Sequence, residues 1–278
     1  MRATLGPRFD RLVPLQIDRN SAQIDESKLT YGQFSLEYVH DNTLNPATNI
    51  WKGLRYKIYA DWFTQITDVN QDGKFMFNLG VDARHYLPIY RNLIWAVRAS
   101  GDFSFGDQKI VYYLGGVDNW LNPKFNDANR PTQNYTYQSL AVNVRGFRQN
   151  IANGNNAVVL NSELRLPVFS TLFNKPINNA FLRNFQLVQF LDLGTAWEGE
   201  LKNIARPQNV YRADNDIPTN PQPLVRFKSG GLGPFAGGYG FGVRSTLLGY
   251  FIRVDAAWEM DGFFRNKPMW YFAMGLDF

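Results

Sequence analysis

The 278 residues carry 29 Lys plus Arg against 24 Asp plus Glu, a net charge of +5, with 15% aromatic residues and no cysteine. Disulfide frameworks, thiolate metal sites and cysteine nucleophiles are thereby excluded, and a basic excess this small and dispersed argues against nucleic acid as a partner. No stretch approaches the ~18 consecutive apolar residues of a spanning helix, which leaves open a membrane β-barrel, whose strands alternate lipid-facing and lumen-facing side chains.

Residues 1–30 hold no apolar run of the ~7–15 residues that a secretory signal requires. They are read as an N-terminal segment, a linker or one further strand at 8–18, and the chain as the C-terminal portion of a longer precursor. From residue 31 to 278 the pattern is that of one domain, an all-β antiparallel barrel. Strands are expected over 33–41 and 53–63, joined by a connection at 42–52 that is long for an inner turn. Residues 68–73 read D-x-N-x-D-G, the first half of a calcium loop. The glutamate due at the twelfth position is replaced by Leu79, so an Asp-Gly hairpin turn is the better reading.

Strict alternation continues over 75–87, where Phe77, Leu79 and Val81 oppose Asn78, Asp82 and Arg84, and over 93–103, where Trp95, Val97 and Phe103 oppose Arg98, Ser100 and Asp102. A long external loop is expected at 105–154. Beyond it Val158, Leu160, Leu164 and Leu166 oppose Asn161, Glu163 and Arg165, and Leu187, Leu191, Leu193 and Trp197 oppose Phe190, Asp192 and Gly194. A second external loop is expected over 198–238, with the glycine-rich run 230–234 flexible within it. Phe241, Val243 and Leu247 then oppose Gly240, Gly242, Arg244 and Thr246, with a tight inner turn at Leu248 and Gly249. Ile252, Val254, Ala256 and Trp258 alternate with Arg253, Asp255, Ala257 and Glu259. Finally Trp270, Phe272, Met274, Leu276 and Phe278 share one face of a last strand over 270–278.

A soluble β-sandwich would also alternate, but its polar face would meet bulk water, whereas here that face repeats Arg, Asp, Glu and Gly from strand to strand. The apolar face carries Trp95, Phe103, Trp197, Trp258, Trp270 and Phe278 near strand ends, where interfacial aromatic girdles belong. His40 and His85 lack metal-ligand spacing, and no nucleophile, carboxylate pair or phosphate loop is discernible. No enzyme, metal site or cofactor is expected.

The ordered motifs Tyr112, Tyr113, Leu114, Gly115, Gly116; Val144, Arg145, Gly146, Phe147; Asn161, Ser162, Glu163, Leu164, Arg165; and Phe190, Leu191, Asp192, Leu193, Gly194 resemble the C-terminal barrel of the BamA/TamA outer-membrane assembly superfamily, the bacterial surface antigen family. The ionic penultimate strand and the terminal phenylalanine extend the resemblance, which runs over 31–278. It implies the C-terminal part of a sixteen-stranded barrel in the bacterial outer membrane. In that family the Val-Arg-Gly-Phe tip folds back into the lumen, so Arg145 is expected to meet Asp192, with Glu163 as a second partner. Pro123 and residues 122–135 lengthen the loop relative to the family form. Trp270, Phe272, Met274, Leu276 and Phe278 match the family's assembly signal, on a strand that is thought to form a seam with the first. The implied activity is protein assembly or translocation, and the implied partners are outer-membrane lipids, unfolded outer-membrane protein clients and periplasmic or lipoprotein accessory subunits. The alternative is a passive pore, or an anchor for an upstream periplasmic or surface domain.

Overall fold

The structure, a computed structural model, describes residues 1–12, 27–66, 74–131, 137–140, 143–173, 176–212, 224–262, 264 and 267–278. The calcium-like segment 68–73 lies outside the described residues, and Leu79, at the twelfth position of the pattern, sits in a strand. The chain runs through β1 (Arg2–Leu12), β2 (Ser27–Asp41), β3 (Leu44–Ala47), β4 (Ile50–Gln65), β5 (Phe75–Tyr90) and β6 (Leu93–Gly106). The long loop contains β7 (Ile110–Leu114), β8 (Tyr137–Leu140) and β9 (Ala152–Gly154). Then follow β10 (Asn156–Pro167), α1 (Val168–Leu172), α2 (Ala180–Arg183), β11 (Gln186–Trp197), β12 (Gln208–Arg212), β13 (Leu224–Lys228), β14 (Gly231–Leu232), β15 (Phe235–Leu247), β16 (Tyr250–Glu259) and β17 (Met269–Met274).

One antiparallel sheet orders its strands β1-β2-β4-β5-β6-β10-β11-β15-β16-β17, with β3 on β4 and β14 on β15; β1 and β17 are its two ends and do not pair. Each strand on this path neighbours its sequence neighbour, as a barrel meander requires. The period of two decides the faces. In β10, Leu160 is 43% exposed while Glu163 three residues on is 1% exposed, and the same alternation runs through β11 and β15. One face is thus an apolar outer wall. The other is concave and polar, and curls far enough that Asn49, between β3 and β4, donates to Asp277 past the end of β17 at 2.8 Å.

The structure corrects or completes the expected elements at four places. The N-terminal strand lies at Arg2–Leu12, paired with β2 throughout, and begins six residues before the expected 8–18, of which 13–18 lie outside the described residues. The 42–52 connection owes its length to a small hairpin of β3 on the start of β4, which tucks Asn49 and Ile50 into the interior, 0% and 1% exposed. The run 230–234 is not free: Gly231 and Leu232 pair with Ala236 and Phe235 as β14, an approach that a side chain on Gly231 would block at the Phe235 carbonyl. Between β10 and β11 the chain forms α1 and α2, with Asn179 capping the second through Phe181 N–H at 2.9 Å; their apolar spacing is too short to register as a period. The turn at Leu248 and Gly249 has φ of 51° and 86°, the two left-handed residues of a type I′ hairpin.

Candidate functional site

The inner faces of β10, β11, β15, β16 and β17 form a grid. Strand register aligns Asn161, Asp192 and Gly238 in one row, Glu163, Phe190, Gly240 and Ala257 in the next, Val188, Gly242, Asp255 and Tyr271 in a third, and Gln186, Arg244, Arg253 and Ala273 in a fourth. β15 contributes glycines to the first three rows, and this leaves a floor for another piece of chain. A side chain on Gly238 would strike the Arg145 carbonyl, and one on Gly240 would come within 2.6 Å of the Phe190 ring.

The long loop occupies that floor. Gly115 and Gly116, at φ 111° and 78°, turn the chain where no side chain fits, and Gly116 N–H donates to the Val144 carbonyl at 3.2 Å. Val144 and Phe147 are buried in an apolar cluster with Leu114, Ile151 and Val159. Between them Arg145 points along the grid. Its Nε donates to Asp192 Oδ2 at 2.7 Å and its Nη2 to Oδ1 at 2.9 Å, a bidentate fork, while its backbone N–H reaches Oδ2 at 3.0 Å. Nη2 also lies 2.6 Å from Glu163 Oε1, Nη1 lies 3.8 Å from Asp255 Oδ2, and the guanidinium sits 3.6 Å above the centre of the Phe190 ring. Gly146, at φ 100°, brings the backbone against the Trp258 carbonyl, where a Cβ would come within 2.9 Å. Its N–H donates to the Tyr271 hydroxyl at 2.9 Å, and that hydroxyl donates to the Phe147 carbonyl at 2.7 Å.

Arg145 therefore meets both Asp192 and Glu163, and the sequence did not single out the rest of the network. Arg165 Nε pairs with Glu163 at 2.8 Å; Arg244 Nη1 pairs with Asp255 at 2.6 Å and its Nε with Asp277 at 2.9 Å; Arg253 Nη1 pairs with Asp277 at 3.1 Å. Arg244 and Arg253 stand directly opposite each other, an unfavourable cross-strand pair, and Asp277 bridges them. Four arginines and four carboxylates make a buried cluster with no net charge. Such pairing is what burial of charge demands, since an uncompensated ion would cost several kcal/mol. The available signal was the inward parity of Arg244, Arg253 and Asp255; what parity could not say is which rows the loop covers.

The terminal segment differs from expectation. Trp270, Phe272 and Met274 project outward from β17, 55%, 50% and 38% exposed, but the strand stops there. Gly275 at φ 112° turns the chain inward, so Leu276 lies beyond the strand, Asp277 joins the ionic cluster, and the Phe278 ring lies over Arg165 at 5.0 Å and Arg98 at 6.0 Å. Phe278 is thus no part of an outer girdle. Trp197 is not either: it is 5% exposed, set edge-on to Phe103 at 6.2 Å and covered by the chain that follows β11. Nor is there a seam between the first and last strands among the described residues.

No protein-family model matches the chain, and no curated protein matches it. Among solved structures it is similar to the crystal structure of BamA from Haemophilus ducreyi lacking POTRA domains 1–3, with a TM-score of 0.51 and 12% identity, over 93% of this chain and 44% of that one. The chain thus spans less than half the length of that relative. At this identity the likeness shows the fold: an antiparallel barrel sheet of the BamA kind.

Proposed function

We propose that this chain is the C-terminal barrel portion of a BamA/TamA-like protein of the bacterial outer membrane, one that assembles or translocates other proteins without covalent chemistry. The observation that carries the reading is the seating of Arg145 on carboxylates from three strands, β10, β11 and β16, by a tip whose Gly146 also bonds Tyr271 of the last strand. An external loop is thereby tied mechanically to the strand that ends the sheet. A loop seated in the lumen, with its buried Arg145 paired to carboxylates, would obstruct the conducting path of a passive pore. The outer wall of Leu160, Leu164, Leu187 and Leu191, each more than a third exposed, suits contact with lipid chains. Unfolded outer-membrane proteins and accessory subunits follow as partners.

The test is charge reversal in cells depleted of the native protein, reading the folded yield of client barrels. Arg145→Asp and Asp192→Arg are each expected to abolish assembly, and the double variant to recover part of it, limited by Glu163 and Asp255, which remain near the reversed site. Steady ion conductance from the purified protein with no client assembled in any variant would replace this reading with the passive one.

A further inference from the structure

The connection between β10 and β11 is out of scale with its end of the sheet. Its neighbours there are the turn at Arg91 and Asn92 and the turn at Leu248 and Gly249, and short connections mark the inner end of a barrel. Residues 168–185 instead build α1 and α2 and fix both to the rim. Arg91 Nη1 donates to the Thr171 carbonyl at 3.0 Å, Asn92 Nδ2 to the Ser170 carbonyl at 3.1 Å and Asn184 Nδ2 to Thr246 Oγ1 at 2.8 Å. Ser245 Oγ donates to the Phe181 carbonyl at 2.7 Å.

That last bond shows on which side α2 lies. Ser245 shares the parity of Phe241 and Val243, which project from the outer wall 51% and 38% exposed, yet Ser245 is only 8% exposed. The chain around Phe181 covers it, so α2 is folded onto the outer face of β15. A helix pair held this firmly would ordinarily turn its apolar side chains inward. Here Leu172, Phe173, Phe181 and Leu182 are 66%, 57%, 42% and 38% exposed, and no residue of α1 or α2 is buried. They extend the outer wall beyond Leu187 and Leu247, 45% and 49% exposed at the adjoining strand ends. Phe173, Phe169, Phe185 and Phe181 follow one another at 6.3, 5.6 and 5.9 Å between ring centres, one aromatic strip across both helices.

The charge of this rim is one-sided. Residues 84–101, 164–191 and 243–254 contain no Asp or Glu. Arg183, in the last turn of α2, is exposed and makes no ion pair among the described residues, and the exposed Arg91 spends one N–H on Thr171. At this end of the sheet Asp41 is engaged by Arg55, and Asp277 by Arg244 and Arg253. Exposed apolar side chains beside unpaired guanidinium groups, at the level where an apolar wall ends, match the boundary between acyl chains and phosphates.

We propose that α1 and α2 form an interfacial collar that binds anionic phospholipid at the inner end of the barrel. Leu172, Phe173, Phe181 and Leu182 enter the acyl boundary, and Arg91 and Arg183 hold lipid phosphates. The occupant is a phospholipid because the collar lies on the outer face of β15 and carries the charge that complements phosphate. This inference rests on the outer-membrane reading above and is independent of the assembly activity.

The absence of cysteine allows a single bimane label at Leu172→Cys or Leu182→Cys, with Leu160→Cys on the outer wall as reference. The full chain is reconstituted in phosphatidylcholine vesicles that contain brominated phosphatidylcholine or, at equal mole fraction, brominated phosphatidylglycerol. All three labels are expected to be quenched. At 172 and 182 phosphatidylglycerol is expected to associate about fivefold more strongly than phosphatidylcholine, the weight of one cation at a lipid surface. Arg183→Gln is expected to abolish that preference at 182 and Arg91→Gln at 172; the first is free of the Thr171 contact that the second also breaks. Equal association of the two lipids, or a preference unchanged in Arg183→Gln, overturns the phosphate site. Labels at 172 and 182 that stay bright while 160 is quenched overturn the collar and leave the membrane reading standing. Stoichiometric capture of a second copy or another protein by a bifunctional maleimide at 182, in native membranes, overturns lipid as the occupant. Labels bright at all three positions remove the membrane reading, and the collar with it.

Discussion

The two halves of the concave face obey the same alternation and end in different states. Under β10 to β17 Glu163, Arg165, Asp192, Arg244, Arg253 and Asp255 are buried, each met by an opposite charge. Below β1 to β4 the inward charges are half exposed: Lys57 and Glu37 pair at 2.9 Å with side chains 42% and 34% exposed, and Arg55 and Asp41 at 3.5 Å with 48% and 39%. The intermediate strands β5 and β6 grade between them, with Arg98 and Asp82 at 2.5 Å and side chains 13% and 22% exposed. Strand chemistry does not account for the difference, since both halves place cations and carboxylates inward. What differs is the cover. The loop lies over the glycine-paved strands, and a charge under it loses water and must find a partner, while a charge beside it keeps water and gains little from one.

This contrast can be broken by substitution, and the expected effects fall in order. Arg145→Ala strips Asp192 of its fork and Glu163 of one of its two cations; a loss of about 3–5 kcal/mol is expected in urea unfolding from detergent micelles, with new protease cleavage in the loop. A loss below 1 kcal/mol would show that the loop is not held by this residue. Leu160→Arg probes the opposite face: at the midplane of a bilayer it should cost about 2–4 kcal/mol, whereas a sheet facing water would tolerate it, so a silent substitution would remove the lipid-facing assignment. Asp277→Asn leaves Arg244 and Arg253 opposite each other without their bridge, and is expected to cost about 1.5–3 kcal/mol through weakened charge-assisted hydrogen bonds, while making the last four residues accessible to carboxypeptidase. Lys57→Ala completes the series in the open half, at about 0–1 kcal/mol in the same unfolding assay. If Lys57→Ala matched Arg145→Ala, the two halves would not differ in the way their exposure indicates.

Much of the sheet was legible because an apolar face on one side and a polar face on the other impose a period of two that no loop can disguise. Strands β2, β4, β5, β6, β10, β11, β15 and β16 lie where the alternation put them, and β17 does so up to Met274. β1 begins ahead of the expected 8–18, and its outward residues Leu5 and Phe9 carry the alternation from the start of the strand. Arg145, Asp192 and Glu163 were readable as a group by resemblance, and their inward parity agreed. Asp255, Arg244, Arg253 and Asp277 carried the same parity with no hint of which belonged to the site. Phe278 and Trp197 were misread for one reason: parity along a strand predicts a face only while the strand continues and nothing covers it, and a glycine at φ 112° ends the first condition for Phe278 as the chain after β11 ends the second for Trp197.

The sequence by itself determined the all-β class, the inner and outer faces along most of the sheet, and the absence of thiol chemistry, while the loop tip as the place of an arginine–carboxylate contact came from the family resemblance. The faces follow from the period of two that strand geometry imposes. Tertiary structure alone decided that the arginine faces three carboxylates from three strands, that the hairpin before β4 reaches the C-terminal tail, and that a loop segment pairs with the edge of β17. Those contacts join residues as far as 228 positions apart, and their partners are set by sheet register and curvature, which no single strand encodes.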